Sequence, residues 1–100
     1  MKIIEQNISR IIELCRRFGV KKLYVFGSIL TDRFNEQSDV DFLFNFNDSV
    51  SYHDYADCFF GLHDGLRRLF GRNIDLVDES AIKNKYFREE VEETRQLIYG

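Results

Sequence analysis

Residues 39–46 read Asp-Val-Asp-Phe-Leu-Phe-Asn-Phe, and this stretch decides how the rest of the chain is interpreted. Side chains of a strand alternate between its two faces, so one face carries only apolar residues: Val40, Phe42, Phe44 and Phe46. The opposite face carries Asp39, Asp41, Leu43 and Asn45. Because Asp is depleted in strands, two of them on one face of so apolar a strand need an explanation.

The segments around this strand predict the fold class. Residues 22–26 and 73–77 are rich in apolar and branched residues and are typical of two more strands. Apolar residues recur at helical spacing over 4–18, over 55–69 after a Ser51 cap, and over 80–99. Residues 29–36 fit a short helix or a loop. We expect one α/β (α+β) domain over residues 1–100, with a small mixed sheet of three to four strands flanked by helices.

Composition excludes several classes of protein. The 100 residues include 14 Lys and Arg and 17 Asp and Glu, a net charge of −3, which argues against general coating of nucleic acid. No apolar run approaches the ~18 residues of a membrane span. The start of the chain lacks a signal-peptide pattern, so we expect a reducing cytoplasm, with Cys15 and Cys58 as two buried thiols rather than a disulfide.

Asp39 and Asp41 lie about 6.5–7 Å apart along a strand, and unpaired carboxylates at this spacing repel each other. A divalent cation would hold both ionised, and hard oxygen ligands suit Mg²⁺ or Mn²⁺. The plainer alternative is a pair of Asp at the exposed start of a strand. Asp75 has the strand parity to share their face, and three acids could hold two metal ions. For Asp75 alone, an edge position or a salt bridge is the alternative.

Gly27-Ser28 directly follows the first strand. Gly allows a tight turn and the close approach of a ligand, and Ser adds a hydroxyl. Alone, this pair usually marks only a turn. Its significance lies in its position before the acids.

Together these residues form the pattern G-S-x10-D-x-D…D, which resembles the signature of the polymerase-beta-like nucleotidyltransferases. The size and the helix–strand–G-S opening look like the minimal, MNT-type subfamily, often encoded beside a HEPN-domain protein. The resemblance spans essentially the whole chain, including the ending over 84–99. Two departures stand out: Ile29-Leu30-Thr31-Asp32-Arg33 follows the G-S, where many members have a polar residue and then Gly, and Lys85 replaces a common Pro.

The resemblance implies a nucleotidyltransferase palm and a role for each matching residue. Gly27 and Ser28 would hold the triphosphate of ATP. In the stretch that departs from the family pattern, Thr31 and Arg33 could assist them. Asp39 and Asp41 would ligate two Mg²⁺ ions, for which Mn²⁺ could substitute. Asp75 would complete the second metal site and help to deprotonate the acceptor hydroxyl.

The subfamily resemblance also implies a partner. The expected reaction transfers AMP from ATP to a hydroxyl, such as that of a tyrosine, on a HEPN-type toxin, with this chain as its antitoxin. So short a chain leaves little room for a second substrate-binding domain, so a homodimer or hetero-oligomer is expected. The alternative is a non-catalytic antitoxin that neutralises its partner by steric docking.

Two other groups of charged residues are interpreted more plainly. His53 and Asp57 are one helical turn apart and could share a metal ion, but a solvated helix face is favoured. Arg67, Arg68 and Arg72 could steer nucleotide phosphates, but a solvated helix end is favoured.

Overall fold

The computed structural model describes residues 1–100. The helices are α1 (Lys2–Gln6), α2 (Ile8–Arg17), α3 (Tyr55–Phe70) and α4 (Lys85–Thr94). The strands are β1 (Val20–Phe26), β2 (Val40–Phe46), β3 (Ile74–Asp78) and β4 (Gln96–Tyr99). Two short 3₁₀ helices follow β1 and β3, at Gly27–Leu30 and Glu79–Ala81.

One mixed sheet organises the chain, in the strand order β3-β2-β1-β4. β1 is antiparallel to both β2 and β4, whereas β2 and β3 are parallel. A parallel pair needs a crossover connection, and α3 supplies it between β2 and β3. The expected mixed sheet of three to four strands flanked by helices is confirmed, with four strands.

Each face of the sheet has its own apolar cluster. The larger one lies under α1, α2 and α3 and includes the apolar face of β2 (Val40, Phe42, Phe44). On the opposite face, Phe26, Leu43 and Val91 form a smaller cluster under α4. β2 is therefore buried on both sides at Phe42, Leu43 and Phe44, each with no exposed surface. α4 covers only part of its face, and the acids lie on the remainder.

Two glycines within α3 let α2 pack closely against it. A Cβ at Gly61 would overlap the ring of Phe18, the residue after α2, and one at Gly65 would lie 2.5 Å from Cδ2 of Leu14. Glycine within a helix costs about 1 kcal/mol relative to alanine. Close packing against α2 explains why the helix retains both.

Three boundary predictions were wrong. The helix expected over 4–18 is broken at Asn7, whose side-chain amide donates 2.8 Å to the Ile3 carbonyl and ends α1. Ser51 does not cap α3; its hydroxyl accepts a hydrogen bond from the Asp54 amide in the preceding turn, and α3 begins at Tyr55.

The third wrong boundary lies at the C-terminal end. The closing helix ends at Thr94, and Gln96–Tyr99 forms β4. A short apolar run such as 97–99 suits helix or strand, and the open edge of β1 decides in favour of strand.

Two further observations bear on the sequence predictions. No helix combines the length and apolar character needed to cross a membrane. Both cysteines are free, but only Cys15 is buried, whereas Cys58 is half-buried on α3. The expectation of two buried thiols was therefore wrong for Cys58. Burial raises the pKa of Cys15 to about 12, which keeps that thiol protonated.

The glycine packing predicts a contrast between two alanine variants. Gly61→Ala should destabilise the fold by roughly 1 kcal/mol, because the added Cβ would overlap three atoms of the Phe18 ring, in the residue that directly follows α2. Gly65→Ala should be close to neutral, because a Leu14 methyl can rotate away while the helix gains intrinsic propensity. Urea unfolding of both variants measures the difference, and equal stabilities would contradict the packing argument.

Candidate active site

The three predicted acids meet at one end of the sheet. Asp39 immediately precedes β2, Asp41 is the second residue of β2, and Asp75 is the second residue of β3. Asp41 and Asp75 are direct partners in the parallel ladder. Directly paired residues on neighbouring strands point to the same face, about 4.8 Å apart at the backbone. Asp75 makes no salt bridge, so the salt-bridge alternative for it fails, whereas the edge-position alternative fits, because β3 is an edge strand and Asp75 is exposed.

Burial and the convergence of the three acids raise the pKa of Asp41. Burial, then the charge of Asp75, then that of Asp39, raise its pKa to about 6 from an ordinary 3.8. A hydrogen bond from the Ser28 backbone amide opposes them. Asp39 and Asp75 are both exposed, whereas Asp41 is half-buried between them. The site therefore holds more negative charge than the protein around it balances.

The Gly27-Ser28 turn packs directly on this carboxylate. Gly27 has a φ of +77°, and a Cβ there would overlap Oδ2 of Asp41. Only glycine allows both the backbone conformation and the contact. The predicted G-S and D-x-D elements are thus parts of one site.

A cleft of about 700 Å³ opens beside this turn, between the 3₁₀ helix, α4 and the start of β4. Ser28, Thr31 and Arg33 line one wall, so the structure brings the two predicted helpers beside the G-S pair. Phe87, Glu90 and Thr94 of α4 line the other. The α4 wall was missed from sequence, because helical spacing alone does not show which neighbour a helix face meets.

A polar network on the same face was also missed. The Asn45 amide donates 2.7 Å to Glu79, and Arg95 donates 2.5 Å to the same carboxylate. The Arg95 guanidinium also lies 4.2 Å from the centre of the Tyr24 ring. Burial acts to raise the pKa of Glu79, but these hydrogen bonds and the Arg95 charge outweigh it and lower that pKa. The network ties the α4–β4 junction to the sheet and so fixes one side of the cleft.

The two other groups of charged residues singled out from the sequence differ in how far they are exposed. His53 and Asp57 are exposed, but His53 precedes α3, so the expected shared helix face was wrong. Arg67 and Arg68 are exposed in the last turn of α3, where Arg68 pairs with Asp64. Arg72, expected as part of the same solvated helix end, lies beyond the helix and is half-buried.

The family of the chain follows from comparison with known proteins. The model of the nucleotidyltransferase domain family matches residues 8–98. This chain belongs to the nucleotidyltransferase family. The enzyme class and the family resemblance expected from the G-S…D-x-D…D pattern are confirmed.

Relatives of this nucleotidyltransferase include protein adenylyltransferase MntA of Thermococcus cleftensis, which is 38% identical over 72 residues, or 72% of this chain and 69% of the relative. A toxin–antitoxin structure with AMP-PNP has a TM-score of 0.71 at 22% identity, over 94% of this chain and 73% of the other. A structure of a tri-AMPylated Shewanella oneidensis HEPN toxin in complex with MNT antitoxin has a TM-score of 0.66 at 20% identity, over 96% of this chain and 71% of the other. At such identities the two structural likenesses are of fold.

The three carboxylates of this nucleotidyltransferase, at Asp39, Asp41 and Asp75, suit a divalent cation in their chemistry and their charge. All three side chains offer hard carboxylate oxygens, and both neighbours raise the pKa of Asp41, which a bound cation would reverse. No group of three or more His, Cys, Asp or Glu side chains is arranged to hold a metal ion as it stands. The metal role of the three acids therefore stays a prediction.

The raised pKa of Asp41 predicts how stability depends on pH. A carboxyl group that binds its proton more tightly when folded contributes stability below pH 3.8, and this is lost as pH rises through about 6. Without divalent cations, Asp41→Asn should therefore melt above the wild type near pH 8, by roughly 4 °C, because solvent screening of the half-exposed Asp41 reduces the effect to about 1 kcal/mol. The advantage should shrink towards pH 4, where wild-type Asp41 is protonated. Asp48→Asn, in an exposed turn, is the matched control, and an advantage that grew on acidification would contradict the assignment.

Two glycines with positive φ provide a matched pair for the G-S turn. Gly71 has a φ of +64°, and a Cβ added there would have nothing within 4 Å, whereas a Cβ at Gly27 would meet Asp41. Gly71→Ala should cost about 1–2 kcal/mol of stability from backbone strain alone. Gly27→Ala should cost more and should also abolish nucleotide binding. Melting curves and a fluorescent ATP analogue measure the two effects, and equal behaviour of the variants would refute direct contact between turn and acid.

Proposed function

We propose that this chain is an Mg²⁺-dependent protein adenylyltransferase that moves AMP from ATP to a hydroxyl of a HEPN-type toxin and thereby acts as its antitoxin. The observation that carries the proposal is the convergence of Asp39, Asp41 and Asp75 at one end of one sheet face, against the Gly27-Ser28 turn. The name of the T. cleftensis relative supports protein adenylyl transfer. The Shewanella complex shows the same fold beside a modified HEPN toxin.

The proposed reaction is an in-line displacement at the α-phosphorus of ATP. The acceptor oxygen forms a bond to this phosphorus, the bond to the bridging oxygen breaks, and pyrophosphate leaves. Asp75, exposed at the mouth of the site, takes the acceptor proton. Asp39, Asp41 and Asp75 would hold two Mg²⁺ ions, or Mn²⁺ in their place, which would neutralise the charge that develops on the phosphates. Catalysis then rests mainly on positioning and charge neutralisation.

The donor's nucleoside would lie in the cleft beside the G-S turn. Its walls combine the apolar Phe87 ring with hydroxyl and carboxylate groups from Thr31, Glu90 and Thr94. This mixture suits a base and a ribose, which need both apolar contact and hydrogen-bond partners. The triphosphate would then extend past Ser28 towards the acids.

The acceptor side of the site is open, which suits a macromolecular acceptor. Asp39 and Asp75 are exposed, and no further element of the chain covers them. Large apolar side chains are also exposed elsewhere, among them Tyr52, Phe60, Tyr86 and Leu97. A partner that docks on such surfaces could present its hydroxyl to the acids and complete the site.

The decisive experiment removes the acids without changing the fold. Asp39→Asn/Asp41→Asn should lower adenylyl transfer to the co-expressed HEPN partner by at least roughly 100-fold. Transfer is measured by intact-mass spectrometry as the mass of the nucleoside monophosphate added, with Mg²⁺ and each of the four nucleoside triphosphates in turn, and adenylate from ATP is the expected product. Asp32→Asn/Asp48→Asn makes the same charge change in exposed turns and is the control.

The same variant separates catalysis from docking. Partner neutralisation should be lost in Asp39→Asn/Asp41→Asn although the complex still forms by size-exclusion chromatography. If neutralisation survives without transfer, the chain acts by steric docking and the enzymatic proposal fails.

A further inference from the structure

Arg72, in the three-residue link between α3 and β3, is bound to a distant loop. Its Nη1 donates hydrogen bonds to the carbonyl oxygens of Asn35 and Ser38, each at 2.9 Å. Its guanidinium carbon lies 4.9 Å from the centre of the Phe34 ring. Arg72 makes no salt bridge, so this loop supplies the partners of its charged group. Charge-assisted bonds to carbonyls are stronger than neutral ones, and the aromatic contact adds to them.

The loop that Arg72 holds leads directly into the acids. Residues 31–39 join the G-S turn to β2 and contain no helix or strand. Within the loop, the Asn35 amide donates to the Ser38 hydroxyl at 3.1 Å, and the Ser38 amide donates to the Asn35 carbonyl at 3.1 Å. The other hydrogen bonds of the loop stay within residues 28–38. Arg72 is the one side chain from outside residues 28–38 that forms hydrogen bonds to this loop.

Asp39 is consequently fixed on both sides. Arg72 holds the carbonyl of Ser38, the residue before Asp39. The Val40 amide, on the other side, donates 3.2 Å to the Asn73 carbonyl. Arg72 and Asn73 lead in turn to Asp75, two residues further along. One short segment therefore both carries the third acid and fixes the backbone around the first.

We propose that Arg72 is a positioning residue for the acid site: through the carbonyls of Asn35 and Ser38 it fixes Asp39 relative to Asp41 and Asp75. The functional part of this inference rests on the proposed function, because the acids are expected to hold the divalent cation. Partners that orient metal ligands typically affect metal affinity or activity by 10–100-fold when they are removed. Lysine keeps the charge and the donors but cannot stack a flat guanidinium on Phe34, so it should replace Arg72 only in part.

The test uses the full chain with Arg72→Ala, Arg72→Lys and the control Arg68→Ala. Arg68 is a nearby arginine whose side chain is 80% exposed and pairs only with Asp64. Mn²⁺ binding is titrated by electron paramagnetic resonance, and adenylyl transfer is measured against Mg²⁺ concentration. Amide hydrogen exchange over residues 35–40 is followed without metal, and melting curves establish that each variant is folded.

Arg72→Ala should speed exchange over residues 35–40 and weaken Mn²⁺ binding by roughly 10-fold, with Arg72→Lys in between and Arg68→Ala unchanged. Excess Mg²⁺ should restore part of the Arg72→Ala activity, which a merely structural defect would not allow. If Arg72→Ala does not fold, Arg72→Lys decides by the same measurements. Wild-type exchange and Mn²⁺ affinity in the Arg72 variants, or equal losses in Arg68→Ala, would overturn the inference.

The two proposals fail in different ways. A wild-type chain that neither binds Mn²⁺ nor transfers a nucleotide would refute the proposed function. Hydrogen exchange over residues 35–40 would then still test whether Arg72 fixes the backbone around Asp39. A wild-type enzyme that is active, with an Arg72→Ala variant equal to it, would refute the positioning role alone.

Discussion

The parallel pairing of β2 with β3 fixes the layout of the sheet. It sets Asp41 opposite Asp75 and so places two carboxylates on one face of a sheet, with Asp39 beside them. A parallel pair cannot be closed by a tight turn, so α3 must cross over between the strands. That crossover covers one face with the main core and leaves the other face for the acids. The position of the core and the position of the site are therefore two results of one pairing.

This arrangement concentrates negative charge, and the structure tolerates it in three ways. Asp39 and Asp75 remain in solvent, where repulsion is screened. A backbone hydrogen bond from Ser28 acts to lower the pKa of the half-buried Asp41. Because Gly27 has no side chain, it leaves space for the Asp41 carboxylate. The remaining imbalance appears as the raised pKa of Asp41. An excess of negative charge at these three carboxylates does not stabilise the fold, whereas it would favour the binding of a metal cation.

The periphery of the site is built from contacts that are distant in sequence. The network of Glu79, Asn45 and Arg95 anchors the end of α4 to the sheet, which shapes the cleft beside the G-S turn. Elsewhere on the chain, Arg72 anchors the loop that precedes Asp39. Two arginine-centred sets of contacts, one at Arg95 and one at Arg72, therefore hold segments that border the candidate site.

Strand alternation and turn chemistry are local properties, so the residues alone were enough to predict the family, the strands that carry the acids, and the spacing G-S-x10-D-x-D…D. They were not enough to predict β4, because the apolar run 97–99 suits either helix or strand until the open edge of β1 is present. Nor did they separate Arg72 from the exposed Arg67 and Arg68, since all three look alike beside a helix end. These points emerge in the folded chain, because each depends on a partner far away in sequence: β1 for β4, and the carbonyls of residues 35 and 38 for Arg72.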